Sequence, residues 1–212
     1  MQTVHNDGKP RLHARWHEFG HLLLACLFGG LAIAVVALAS RLLGEPVAFF
    51  TREPQEVLKG PLYAGSFSNL GGIVWFATAA ILSFTASLKP SERGALILAA
   101  LLTWAMGFDD VFMLHDQVYP KFHLNERLVA AAYFGTVGVI ALRYHRRLAY
   151  STLAGMALAV TCWVLSAGLD QFFNQFGQLA EDGSKFVGIA VWAAAWTRQA
   201  YDDIVRLARS SA

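Results

Sequence analysis

Long apolar runs separated by short polar turns organise the chain. Six stretches, residues 22–43, 67–88, 94–114, 128–142, 149–169 and 186–200, are almost free of charge. Each approaches the roughly 20 residues that an α-helix needs to cross a hydrocarbon layer about 30 Å thick. The fourth and sixth runs are short, and draw on residues 125–127 and 201–204 to complete a crossing. The expected fold is therefore all-α: a polytopic membrane protein of about six transmembrane helices, forming a single integral membrane domain over residues 1–212. The longest connection, residues 44–66, carries Pro46, Pro54 and Pro61, which disfavour a continuous helix. The third helix is expected to run on to His115 and to stop near Pro120.

Composition agrees with this pattern. Hydrophobic residues make up 56% of the chain and charged residues 15%, against about 25% charged in an ordinary soluble domain. Lys and Arg are biased to one side: with the N-terminus inside, Lys9, Arg11, Arg15, Lys89, Arg93, Arg143, Arg146, Arg147, Arg198, Arg206 and Arg209 fall inside, and Arg41, Arg52, Lys59, Lys121, Arg127 and Lys185 outside. Positive loops are retained in the cytoplasm, so both termini are expected there, in a multi-pass protein of the cell inner membrane. The net charge of +2 reflects this asymmetry and implies no nucleic-acid surface. The lipid bilayer is the expected partner. Cys26 and Cys162 lie within apolar runs, where lone thiols act as small packing residues.

Against this background Asp109 and Asp110 stand out, adjacent in the third apolar run with His115 and Asp116 just beyond it. A carboxylate held in hydrocarbon costs roughly 2.5 to 3.5 kcal/mol on insertion scales, so intramembrane acids mark functional sites. Asp109 lies about 22 Å along its helix from Gly94 at 1.5 Å per residue, in the outer half of the membrane. Ser66, Ser68 and Asn69 at the start of the second helix, Asp170 at the end of the fifth, and Glu181, Asp182 and Lys185 at the start of the sixth share that level. Neighbouring helical residues diverge by about 100°, so the two aspartates face different ways and would need ligands from other helices to hold one ion. The candidate metal set is Asp109, Asp110, His115, Asp116, Asp170, Glu181 and Asp182, with Asp109, Asp110 and His115 as candidate catalytic residues. An all-oxygen set suits calcium, magnesium or manganese; histidine favours zinc or iron. The plain alternative is that Asp116, Glu181 and Asp182 are solvated boundary residues, with Lys185 paired to Glu181 or Asp182 along its own helix.

A second constellation, His17-Glu18-Phe19-Gly20-His21, matches HExxH, in which two histidines one turn apart bind zinc and the glutamate activates water. It resembles the first motif of site-2-type intramembrane metalloproteases, which would make His17, Glu18 and His21 an alternative zinc site. That family's Leu-Asp-Gly motif is matched here only as far as Leu169-Asp170, with Gln171 following. Ser68-Asn69, with Asp109 or Asp110 and His115, is remotely similar to the CREST group of alkaline-ceramidase-like hydrolases, whose last-helix histidine pair residues 186–200 lack. Over its length the chain most resembles small, uncharacterised bacterial multi-pass membrane proteins. That likeness rests on the segment from Asp109-Asp110 to His115-Asp116 and on Glu181-Asp182-Gly183-Ser184-Lys185 leading to Gly188-Ile189.

Four readings follow. The first is a metal-dependent hydrolase acting on a lipid-like or small-molecule substrate at the outer carboxylate and histidine cluster. The others are a proton- or cation-coupled transporter using the same acids, a non-catalytic subunit in which they lock helices together, and an HExxH protease.

Overall fold

The structure is a computed structural model that describes residues 16–51, 57–61, 64–88, 93–172 and 178–210. Seven α-helices are found among the described residues: α1 (Trp16–Leu43), α2 (Val47–Thr51), α3 (Ser66–Leu88), α4 (Arg93–Val111), α5 (Glu126–Tyr144), α6 (Tyr150–Phe172) and α7 (Gln178–Ser210). The chain divides into two compact units, Met1–Ala64 and Gly65–Ala212.

In the first unit, α1 ends at Gly44, whose φ of +71° is readily adopted by a residue without a Cβ. The Ser40 hydroxyl donates to the Glu45 carbonyl across that break at 2.7 Å. Within the proline-rich connection, the apolar residues after Pro46 form the short helix α2.

The second unit holds four helices long and apolar enough to cross a membrane: Ser66–Leu88, Arg93–Val111, Glu126–Tyr144 and Tyr150–Leu169. Their outward surfaces carry large apolar side chains, among them Ile73, Phe84, Leu101, Leu142 and Leu165. Water would penalise so continuous an exposed apolar surface, whereas lipid does not. Three buried hydroxyls are satisfied within their own helices: Thr78 donates to the Val74 carbonyl, Thr85 to Ile81 and Thr103 to Ala99. This local pairing lets polar residues lie in an apolar core.

Neighbouring helices alternate in direction. Along α3 and α4, Gly72 meets Val111, Gly107 meets Trp75 and Phe76, and Trp104 donates to Ser83 at 3.1 Å. The start of α4 meets the end of α5, where Gly94 lies against Tyr144. Along α6 and α7, Gly155 faces Ala195 and Gly188 faces Trp163 and the Ala159 carbonyl. These small residues bring the two backbones together, as close packing in lipid requires. Trp75, Trp163, Trp192 and Trp196 stack in sequence through the core at centroid separations of 5.7, 5.7 and 5.6 Å.

Helix α7 is too polar to count among the four apolar helices, although the hydropathy pattern assigns residues 186–200 to a span. It nevertheless lies antiparallel along α6, with Trp192 and Trp196 fully buried. Its Gln199 accepts hydrogen bonds from the Ala149 backbone at 2.9 Å and the Thr152 hydroxyl at 3.0 Å. A side chain of α7 thus satisfies donors at the start of α6 that have no partner within that helix. The third span also differs from expectation: α4 stops at Val111, and Met113 turns into the left-handed region at φ +47°.

Close approach makes a clean test. A Cβ at Gly155 would lie 2.5 Å from Ala195 Cβ, whereas one at Gly138 meets nothing within 4 Å. Overpacking a tight contact costs about 1–3 kcal/mol. Gly155→Ala is expected to lower the thermal midpoint in detergent, followed by tryptophan fluorescence, while Gly138→Ala leaves it nearly unchanged.

Candidate functional site

The alternating helices bring the start of α3, the end of α4, the start of α5 and the start of α7 to one end of the second unit. The two aspartates stand there on the last turn of α4 and diverge as helix geometry requires.

Asp109 is buried, with 7% of its surface exposed. Beyond Val111 the left-handed Met113 reverses the chain into a π turn, Leu114–Val118. The turn brings His115 back so that its backbone N–H donates to Asp109 Oδ1 at 2.8 Å and its Nδ1 lies 3.0 Å from the same oxygen. A straight helix keeps these residues apart, because His115 stands at i+6. The carboxylate thus acts as a cap for the new turn and holds the imbalance of free backbone donors that a helix start creates. Tyr133 of α5 lies near Tyr119 and the Asp109 carboxylate. Tyr119 opens the 3₁₀ turn Tyr119–Phe122, in which Pro120 occupies an early position that needs no N–H.

Asp110 faces the other way, toward α7, and forms an ion pair with Lys185. Helix spacing suggests that Lys185 pairs along its own helix; it reaches across to α4 instead. The carboxylate side chain is 11% exposed and the lysine 41%, so the pair runs from the buried wall to the open rim. Beside it lies a cavity of about 340 Å³ lined by Gly65, Phe67, Ser68, Gly71, Asp110, Asp182, Lys185, Phe186 and Ile189. Phe67 and Phe186 pack at 4.7 Å between ring centroids, giving the cavity an aromatic side opposite its charged one. Gly71 lies against Ile189, with Asp110 Oδ2 close by.

The seven proposed metal-set residues therefore divide. Asp109 joins His115, while Asp110 and Asp182 line the cavity with Lys185. Glu181 is half-buried in the first turn of α7. The side chains of Asp116 and Asp170 lie outside the described residues, as do those of His17, Glu18 and His21. Among the described residues no three His, Cys, Asp or Glu side chains gather as a metal site. Sequence reasoning placed Ser68 and Lys185 at this level without giving them a role, and did not assign Gly71 or Tyr133 to the site. Lys185 had the clearest signal, a cation at the level of the acids, but its partner depends on how α7 is seated against α3 and α6.

A family model described as "Domain of unknown function (DUF8692)" matches residues 25–198. The chain belongs to this family. Asp109, Asp110, His115 and Lys185 lie within the matched residues of DUF8692, and the HExxH segment at His17–His21 precedes them. No curated protein and no solved structure matches the chain.

The two members of the ion pair differ in what their loss leaves behind. Lys185→Gln strands Asp110, the more buried charge, whereas Asp110→Asn leaves an ammonium that can turn toward water. Breaking a fully buried pair costs about 3–5 kcal/mol, and the exposure of Lys185 reduces this to roughly 1–3 kcal/mol. Lys185→Gln is expected to lower stability in detergent more than Asp110→Asn does, with the double variant recovering part of the loss in a denaturation series.

Proposed function

We propose that this member of DUF8692 is a multi-pass membrane protein, with both termini cytoplasmic in the inner membrane, whose polar end binds a proton or small cation at Asp110 in a coupled carrier. The observation that carries this reading is the Asp110–Lys185 pair on the wall of the 340 Å³ cavity. The lysine ammonium neutralises the carboxylate from within the protein. A proton or cation reaching Asp110 through the cavity takes over that role and releases Lys185, changing the contact that joins α4 to α7. Acids near membrane depth commonly serve such pathways because their charge state is strongly felt there. Asp182 adds a second acid to the lining, so the cavity has a negative excess that favours cations.

This reading predicts a response in the protein's own fluorescence, since Trp163 and Trp192 sit between α6 and α7. Titrating purified protein with sodium, potassium or protons is expected to shift emission or thermal stability saturably. Asp110→Asn should abolish that response, and Asp202→Asn, near the far end of α7, should retain it. A response unchanged by Asp110→Asn sinks the proposal.

The Asp109–His115 contact favours a second reading, a metal-dependent hydrolase acting on a lipid-like substrate. A carboxylate on one imidazole nitrogen orients the ring and raises its basicity toward a ligand at the other. Asp109 and His115 fit that two-residue arrangement, with His115 as the ligand and Asp109 as its orienting carboxylate, and further ligands would have to come from other helices, such as Asp170 or Glu181. Bound zinc or iron would polarise an ester carbonyl of the substrate, while Asp109 fixes the ring of His115. Metal affinity is then expected to fall by roughly 10–100-fold in Asp109→Asn and further in His115→Ala, measured by elemental analysis after equilibrium dialysis. Equal metal content in wild type and His115→Ala would exclude this reading.

A further inference from the structure

At the opposite end of the same unit lies a second cavity, of about 450 Å³, lined by Gly94, Arg143, Tyr144 and Arg147. Its volume falls within the range of about 300–1,000 Å³ common to small-ligand sites. Among the described residues, the polar groups that line it are two guanidiniums and a phenol. Arg143 lies in the last turn of α5, and the chain continues in a helical sense past Tyr144, where the Arg147 and Leu148 backbones donate to the Tyr144 carbonyl at 2.8 and 3.1 Å. That continuation carries Arg147 to the same cavity as Arg143, and the buried side chain of Leu148 anchors the turn.

The phenol is held in place from two sides. The Arg143 guanidinium lies 5.9 Å from the centroid of the Tyr144 ring, in cation–π range. From α4, Gly94 makes room for the hydroxyl, since a Cβ there would sit 2.6 Å from it. The result is a concave group of donors with a net positive charge, set where the helices meet the membrane surface. Guanidinium forks match phosphate oxygens bidentately, and basic pockets between transmembrane helices bind anionic headgroups.

We infer that Arg143, Arg147 and Tyr144 form a phosphate-binding site at this end of the bundle, taking the phosphate of a phospholipid headgroup from the adjoining leaflet. The site is independent of the Asp110–Lys185 cavity and stands whether or not that cavity binds cations. The run from Arg143 to Arg147 is then more than a topology anchor: two of its three arginines converge on one cavity, and Arg146 does not line it.

Arg146 supplies the control. Purified protein in nanodiscs or detergent would be titrated with phosphatidylglycerol, phosphatidylcholine and inorganic phosphate, with retained lipid counted by native mass spectrometry. One surface arginine contributes roughly fivefold to anionic-membrane affinity and two together roughly 25-fold, so the Arg143→Gln/Arg147→Gln double variant should lose more than about 25-fold in phosphatidylglycerol affinity. Arg146→Gln, an equal change in charge per residue, should lose no more than roughly fivefold and clearly less than Arg147→Gln. Gly94→Ala, which crowds the phenol without altering charge, should also weaken binding. Competition by inorganic phosphate at concentrations comparable to lipid would confirm the phosphate site and reassign its source to a soluble phosphate ester. Equal losses in Arg146→Gln and Arg147→Gln, or equal retention of phosphatidylglycerol by wild type and the double variant, would overturn the proposal.

Discussion

The close antiparallel seam between α6 and α7 is the constraint on which the second unit depends. Gly155 and Gly188 let the two backbones approach until Ala195 and Trp163 fill the space where side chains would otherwise stand. Gln199 then reaches the start of α6 and satisfies the Ala149 N–H and Thr152 hydroxyl. Van der Waals packing and interhelical hydrogen bonds are the main forces between helices in lipid, because apolar burial gives little there. Such a seam can therefore hold a helix as polar as α7 inside an otherwise apolar bundle. Trp192 donates from α7 to Thr103 of α4 at 3.0 Å and extends the register across the core.

That register decides what reaches the polar end. With Trp192 set against Thr103, the first turns of α7 run past the last turn of α4, and Lys185 comes opposite Asp110. The same placement sets Phe186 on Phe67 and Ile189 on Gly71. The charged wall and aromatic wall of the cavity are therefore consequences of one helix position. The neighbouring Asp109 owes its surroundings to a different event, the left-handed turn at Met113 that folds His115 back onto it. Two adjacent acids thus enter two environments: one is tied to an ammonium on another helix, the other to an imidazole and a backbone N–H from its own chain segment. The two cavities of the unit differ in charge: Asp110, Asp182 and Lys185 line the first, and Arg143 and Arg147 with Tyr144 line the second.

The sequence by itself determined much of this protein. The apolar runs at 67–88, 94–114, 128–142 and 149–169 correspond to α3 to α6, because a helix that must satisfy its backbone within hydrocarbon needs length and apolarity, and both are written locally. The divergence of Asp109 and Asp110 followed from 100° per residue, and the level shared by Ser68, Asp110, Asp182 and Lys185 followed from the alternation of the spans. The break at Met113 was not legible, since a methionine carries no left-handed signal of the kind glycine does; the third helix was expected to continue to His115. The partner of Lys185 was not legible either. Spacing along one helix proposes only local pairs, whereas Lys185 is joined to Asp110 by contacts formed through Gly155, Gly188 and Trp192. Local sequence therefore decided which segments are helical and which residues share a level, because those depend on backbone satisfaction and rise per residue. Only the tertiary structure decided which charges meet, because that depends on how closely separate helices pack and in what register.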